Sequence, residues 1–272
     1  MINQARTLAM AVVVAGAIGA AAAPAHAVTV DGVTFTPGDV FAVSNFFQNA
    51  PTALGSTFQA IGQVTQVISP ISGTPSASFC SGCELNFVVT GYTNTSGPGS
   101  TLNFSGGTIS FYVDTPGTFN QNAGQANAAA IASGTSWLTL AGHPGSSGPT
   151  LTATFGGTGG AVSFLSGTGL LDALASCTTV PKDGGGTQTI CPGSANSYFA
   201  NLNTISDGMG GFADIEFSTT TNNINPPGGF AFNGSGQMQT VLPEPATLAL
   251  LGSSLLAFGF VRRRAPSPTA TV

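Results

Sequence analysis

Charged residues make up only 6% of this 272-residue sequence and hydrophobic residues 42%, whereas roughly a quarter of an ordinary soluble domain is charged. Low charge with high apolar content excludes a solvated disordered polymer, and 38 glycines and 17 prolines favour strands and turns over long helices. Residues 28–242 contain one cation, Lys182, against nine carboxylates, and this formal charge of −8 excludes a nucleic-acid binder, which needs a basic face.

The N-terminus has the pattern of a secretory signal peptide. Arg6 supplies the positive charge, residues 8–23 form a continuous run of apolar and small residues, and Ala25 and Ala27 fit a small-x-small cleavage site. The run is 16 residues long, shorter than the roughly 20 residues that span a bilayer. The sequence therefore predicts a signal helix within residues 1–27 that is removed on export.

Short runs of alternating apolar and polar residues, separated by turns rich in glycine and proline, fill residues 28–242. Such alternation is typical of strands with one buried face. Many short strands with these turns predict an all-β body, either an antiparallel β-sandwich or a jelly roll. Residues 124–133, which contain three consecutive alanines, are the exception and predict a short helix. The predicted strands are 28–35, 40–46, 58–68, 84–92, 108–114, 137–140, 151–155, 161–165, 211–218, 229–234 and 237–242.

The 19 phenylalanines are expected to form the core of this body, because buried phenylalanine is the common case. The alternative is an exposed platform on which sugars stack. Such platforms favour Trp and Tyr, whose polar groups form hydrogen bonds. If a platform exists, Trp137 is the first candidate, ahead of Tyr92, Tyr112 and Tyr198.

Four cysteines in an exported chain indicate disulfides, and three pairings are possible. The simplest joins Cys80 to Cys83 and Cys177 to Cys191. A redox role for the first pair would require a helix to follow it, but a strand pattern follows instead. A four-cysteine zinc site would require two close ligand pairs, but 13 residues separate the second pair. A structural role is therefore predicted.

Candidate catalytic residues are few. A Ser-His-acid triad would have to use His143, but the sequence has no Gly-x-Ser-x-Gly elbow, so a solvated loop histidine is favoured. Asp214 and Glu216 are two residues apart on a predicted strand, which suits the carboxylate pair of a glycoside hydrolase. The same spacing describes a polar outer face, which is the favoured interpretation. No metal or cofactor is predicted, and Asp-Gly turns at Asp183 and Asp207 are only a weak hint of calcium.

The C-terminus has the features of a membrane stop signal. An uncharged helix of 16 residues would rise about 24 Å, just under the roughly 30 Å of a bilayer core. Prolines block its extension upstream, and arginines stay on the cytoplasmic side. The tail is therefore predicted to halt export and leave the body outside. Its three parts are, in order, Pro243-Glu244-Pro245, the apolar segment 246–261 and Arg262-Arg263-Arg264.

This tail, from Val-Leu-Pro-Glu-Pro-Ala-Thr-Leu-Ala-Leu-Leu-Gly to the arginine cluster, resembles the PEP-CTERM sorting domain. The resemblance implies recognition by an exosortase, a membrane-bound cysteine transpeptidase-like enzyme, and processing near the Pro-Glu-Pro motif. It also implies a Gram-negative bacterium that makes exopolysaccharide. The predicted organisation is a signal peptide at 1–27, an exported all-β domain at 28–242, a sorting and anchor segment at 243–264 and a short polar tail at 265–272.

These features lead to three hypotheses about function. The leading one is a non-catalytic structural or adhesive protein that an exosortase sorts, after transient anchoring in the inner membrane, to the cell surface or to an exopolysaccharide matrix such as a biofilm. The alternative is a secreted carbohydrate-active enzyme that uses Asp214 and Glu216. The third is a protein that remains in the membrane because its tail is never cut.

Overall fold

The computed structural model of the chain describes residues 27–36, 38–69, 73, 75–76, 78–143, 150–156, 164–181, 186–207, 211–222 and 227–240, with the backbone alone at 155, 156 and 164–166. The predicted signal helix with Ala25, the Pro243-Glu244-Pro245 motif, the C-terminal hydrophobic helix and Arg262-Arg263-Arg264 lie outside these residues. Within the part of the chain that is described, no helix has the length and apolar composition that a membrane crossing requires.

Strands dominate the described residues, and the helices are short. The strands are β1 (Val28–Val30), β2 (Val33–Phe35), β3 (Val40–Gln48), β4 (Thr57–Ile68), β5 (Pro75–Ser76), β6 (Glu84–Asn94), β7 (Thr101–Asp114), β8 (Thr135–Gly142), β9 (Leu151–Gly156), β10 (Phe164–Ala173), β11 (Thr178–Pro181), β12 (Thr187–Ile190), β13 (Ile205–Ser206), β14 (Phe212–Ala213), β15 (Ile215–Asn222) and β16 (Phe232–Gln239). The helices are α1 (Asn127–Ile131), α2 (Asn196–Phe199) and 3-10 helices at Gln121–Ala126 and Pro227–Gly229.

Eight strands form one antiparallel sheet that closes on itself in a barrel-like ring. Their order is β15-β16-β3-β4-β6-β7-β8-β10, and β10 pairs back with β15 over eight residues, from Phe164 opposite Asn222 to Leu171 opposite Ile215. A further strand, β9, pairs with both β10 and β7. The predicted all-β, antiparallel class is confirmed.

The predicted β-sandwich or jelly roll is not confirmed, because the main sheet of the described residues is continuous rather than split into two packed layers. Bulges interrupt the β3–β4 and β16–β3 ladders, and bulges bend a sheet. Glycines let the strands approach closely: a Cβ at Gly234 would collide with the backbone oxygen of Thr220. These local devices curve the sheet until its ends meet.

Aromatic side chains fill the interior of the closed sheet. Phe87 is fully buried, and its ring centroid lies 5.0 Å from that of Phe111 and 6.0 Å from that of Phe217. The expectation that phenylalanine forms the core is confirmed for most described phenylalanines. The buried ones are Phe35, Phe41, Phe46, Phe47, Phe58, Phe79, Phe87, Phe104, Phe111, Phe199, Phe217, Phe230 and Phe232.

Two predicted segments differ instructively from the structure. Residues 28–35 form not one strand but the β1–β2 hairpin. Its turn residues, Asp31 and Gly32, both have positive φ, at 50° and 84°, and Asp-Gly is a favoured pair for such a two-residue turn. The predicted helix at 124–133 is present in part, as the single-turn helix α1 preceded by a 3-10 helix.

Replacing Gly62 by alanine is expected to lower the free energy of unfolding by about 1–3 kcal/mol. A Cβ at Gly62 would overlap the ring of Phe87, and neighbouring phenylalanine rings prevent that ring from moving aside. Urea denaturation measures the loss. Gly99→Ala is the matched control, because its Cβ would lie 3.6 Å from the nearest atom, an ordinary contact. Equal stabilities for the two variants would contradict the described packing of β4 against β6.

Candidate functional site

The four cysteines form two disulfides, Cys80–Cys83 and Cys177–Cys191. This arrangement is the simplest of the three pairings that the sequence allows. The second bridge joins the ends of the β11–β12 hairpin, next to the strand pair Thr178–Ile190. The bridge therefore holds together the base of a hairpin that packs on the outer face of the closed sheet, against β6 and β7.

A groove of about 530 Å³ lies between this hairpin and α1. Its floor is the outer face of the central strands, its first wall is the alanine face of α1, and its second wall is β12. We call it the outer groove. The floor residues are Gln59, Val88, Thr90, Ser110, Tyr112, Ser136 and Thr139, and the wall residues are Gln125, Ala128, Ala129 and Ala132 on one side and Gln188, Thr189, Ile190, Cys191 and Pro192 on the other.

Hydrogen bonds attach the hairpin wall to the floor. The side-chain amide of Gln188 donates to the Thr90 hydroxyl at 3.2 Å, and the Thr139 hydroxyl donates to the carbonyl of Cys191 at 3.0 Å. Together with the disulfide, these bonds fix the position of β12 over the sheet. The second wall of the groove is therefore present before any ligand arrives.

The opposite wall is fixed by Asn127 and Ile131 at the two ends of α1. The Asn127 amide donates to the carbonyl of Thr118 at 2.9 Å and its oxygen accepts from the backbone N–H of Asn120 at 2.9 Å. Ile131 is fully buried in a second apolar cluster, on the outer side of the sheet, with Phe47, Ile61, Val88 and Phe230. This cluster seats the helix against the floor.

The described lining of the outer groove contains hydroxyl, amide and apolar side chains but no charged residue. Burial raises the pKa of the Tyr112 phenol, and the Asp114 carboxylate adds to the shift. Tyr112 is consequently a neutral hydrogen-bond donor at physiological pH. The side-chain oxygen of Gln59 is buried without a hydrogen-bond partner in the described structure.

Asp214 and Glu216, the predicted carboxylate pair, have different surroundings. Asp214 is 4% exposed, and its carboxylate accepts the backbone N–H groups of Ala173 at 3.1 Å and Asn203 at 2.9 Å. Glu216 is half-buried and accepts from the Gln239 amide at 3.1 Å. Asp214 thus ties the end of β10 to the loop at Asn203, which is a structural task.

His143 lies between two carboxylates at the end of β8. Its Nδ1 is 2.8 Å from Asp172 Oδ2, and its Nε2 is 3.6 Å from Asp207 Oδ2. Asp207 also accepts the backbone N–H of Gly211 at 2.8 Å, across the β13–β14 turn. The expectation of a solvated loop histidine is wrong, since the ring is largely buried and connects this turn to the sheet.

A second carboxylate pair lies across the β6–β7 ladder, where Glu84 is directly opposite Asp114. The buried amide of Asn86 donates to both, at 3.2 Å and 3.0 Å. Glu84 also accepts two backbone N–H groups from the following loop, those of Gly117 at 2.7 Å and Phe119 at 3.1 Å. These bonds tie the loop that leads to α1, and thereby the first wall of the outer groove, to the sheet.

Metal binding finds little support in the described residues, where no cluster of three or more His, Cys, Asp or Glu side chains has a geometry suited to an ion. Of the two weak calcium hints, Asp207 is engaged with Gly211 and His143. The other, Asp183, lies outside the described residues.

The prediction of Trp137 as the first candidate for a sugar platform is wrong. Trp137 is 0% exposed, its indole N–H donates to the carbonyl of Val30 at 3.2 Å, and Phe35 and Phe199 pack against its ring. The aromatic residue that lines the outer groove is Tyr112. The sequence contained the signal, because Tyr112 lies between the inward-facing Phe111 and Val113 and must point to the opposite face.

Comparison with known families concerns the C-terminal tail. Residues 241–264 match the model of the PEP-CTERM protein-sorting motif. The tail is a PEP-CTERM sorting motif. The match spans Pro243-Glu244-Pro245, the apolar segment and the arginine cluster, and so confirms the resemblance. The PEP-CTERM motif indicates an exported protein that an exosortase sorts to the cell surface or the extracellular space. No curated protein and no solved structure matches the chain.

The contribution of Asp114 to stability is expected to decrease as the pH rises. Burial raises the pKa of Asp114, the Asn86 hydrogen bond opposes this and Glu84 adds to it, so the folded state binds the proton more tightly than the unfolded state. The free energy of unfolding is then highest below the ordinary carboxyl pKa and falls as the pH rises through the raised one.

Asp114→Asn should therefore flatten this part of the pH profile, measured by urea denaturation at a series of pH values. Asp39, whose pKa is also raised by burial, is present in both proteins. A smaller decrease in the free energy of unfolding with rising pH should therefore remain in the variant. A variant whose stability falls with pH as steeply as that of the wild type would rule out Asp114 as a source of the slope.

Proposed function

We propose that this chain is a non-catalytic component of the cell surface or extracellular matrix, with a structural or adhesive role among exopolysaccharide, for example in a biofilm. The observation that carries the proposal is the PEP-CTERM motif at residues 241–264. A sorting motif of this kind gives the protein an address outside the cell and an exosortase as its processing partner.

The physical properties of the tail support transient anchoring in the inner membrane. Segment 246–261 is apolar and uncharged, and Arg262-Arg263-Arg264 follows it directly. Such a segment is marginal in length for a stable span, while three arginines strongly resist translocation. The chain would therefore pause with its body outside and the Pro-Glu-Pro motif near the outer surface, where a membrane enzyme reaches it.

The body supports a role without catalysis. Both cysteine pairs are closed into disulfides, as suits an oxidising compartment. Among the carboxylates proposed for catalysis, Asp214 is occupied by two backbone amides. A hydrolase of the two-carboxylate type needs an acid and a base or nucleophile that both face the substrate, and a buried, doubly bonded Asp214 does not meet that requirement.

Processing of the tail is tested by mass spectrometry of the protein recovered from the cell surface or medium. The mature wild-type protein is expected to lack residues 262–272. A variant with Pro243→Ala and Pro245→Ala is expected to retain them, because the motif that the exosortase recognises is changed. The control is Pro266→Ala with Pro268→Ala, which removes two prolines outside the motif and should leave processing intact. An uncut wild-type C-terminus would overturn exosortase processing.

The absence of catalysis is tested with the purified protein on neutral polysaccharides. We expect no release of reducing sugar from the wild type and none from Glu216→Gln. Asp214→Asn should instead reduce the free energy of unfolding by about 1–3 kcal/mol, because it weakens hydrogen bonds to a buried carboxylate. Sugar release by the wild type that Glu216→Gln abolishes would establish the hydrolase instead.

A further inference from the structure

We propose that the outer groove binds a segment of a neutral oligosaccharide. The inference rests on the proposed function, in that a surface protein held among polysaccharide requires a place where the polymer is bound. It goes further by assigning that place to the space between α1 and β12 and by naming the chemistry of the ligand.

The groove is built before binding, which lowers the free-energy cost of ordering it around a ligand. One wall is held by the Cys177–Cys191 disulfide and by the bond from Gln188 to Thr90. The other is held by Asn127 and by burial of Ile131. Its volume of about 530 Å³ falls within the range of about 300–1,000 Å³ typical of ligand clefts.

The lining has the chemistry that sugars require. A sugar hydroxyl both donates and accepts, and the groove offers groups of both kinds in Gln188, Thr90 and Tyr112. Gln59 adds a further side-chain amide to the floor. Ala128 and Ala129 form an apolar strip on the opposite wall, against which the C–H face of a pyranose ring packs.

The distribution of charge selects a neutral ligand. No residue in the described lining carries a charge, so an anionic sugar would lose its hydration without gaining a cationic partner. The body as a whole carries one cation against nine carboxylates, which repels polyanions at long range. Acidic polysaccharides are therefore disfavoured both in the groove and on approach to it.

The test is calorimetric titration of the mature exported protein with cello-, xylo- and manno-oligosaccharides, and with oligogalacturonate as the anionic comparison. We expect saturable binding of at least one neutral series and none of oligogalacturonate. Ala129→Trp fills the groove from its wall and should weaken binding about tenfold or more. Ala130→Trp is the matched control, because Ala130 is the next residue, is exposed and does not line the groove.

A second pair of variants tests the floor. Tyr112→Ala should reduce affinity for the same oligosaccharide, whereas Tyr198→Ala, which removes a tyrosine that is 42% exposed and outside the groove, should not. Tyr112 also packs against the cluster beneath α1, so Ala129→Trp remains the decisive variant if Tyr112→Ala does not fold.

The inference is overturned if no neutral series binds, if oligogalacturonate binds instead, or if Ala129→Trp and Ala130→Trp bind equally. Failure of this kind is distinguishable from failure of the proposed function. If the protein is cut at its tail and recovered from the surface but binds no neutral oligosaccharide, the proposed sorting stands. Only the assignment of the groove is then wrong.

Discussion

Closure of the sheet by the β10–β15 ladder is the constraint on which the rest of this structure depends. Eight residue pairs join two strands that are about 50 positions apart in the chain, and they remove the two exposed edges that an open sheet would leave. Once closed, the sheet has one interior. Every side chain that points into it must pack against Phe87 and the neighbouring rings. This packing requires a glycine at position 62, because the ring of Phe87 occupies the space that a side chain of Gly62 would need.

The closed sheet also explains why the outer groove has its position. Two excursions of the chain from the ring form the walls of the groove: the one between β7 and β8, which contains α1, and the one between β10 and β15, which contains the β11–β12 hairpin. Binding surfaces are often built from loops that a rigid scaffold holds in position, and the groove has this organisation. The supports are specific: Glu84 holds the first excursion through backbone amides, and Cys177–Cys191 holds the second.

Features that depend on neighbouring residues could be predicted from the sequence, and features that depend on distant pairings could not. Alternation around Phe87 and Phe111 identified β6 and β7, and three adjacent elements identified the sorting tail. Ring closure depends on Leu171 meeting Ile215, for which no local pattern exists. Trp137 was misplaced because its residue type suggested a sugar platform. Strict alternation with Leu138 and Leu140 would also place it outside, but a register shift in the β7–β8 ladder turns it into the core. Alternation alone does assign Tyr112 to the outside.

The scarcity of cations explains the use of the carboxylates in this protein. With Lys182 as the one Lys or Arg of residues 28–242, acidic side chains of the body are stabilised mainly by backbone amides. Asp214 accepts from Ala173 and Asn203, and Asp39 accepts from Thr36. Each such carboxylate fixes a turn or a loop. The same scarcity leaves the described lining of the outer groove without a cationic side chain, so its polar surface consists of hydroxyls and amides. Carboxylates bonded to loop backbones beside a groove lined by neutral groups are the features on which the proposed contact with uncharged polymers rests.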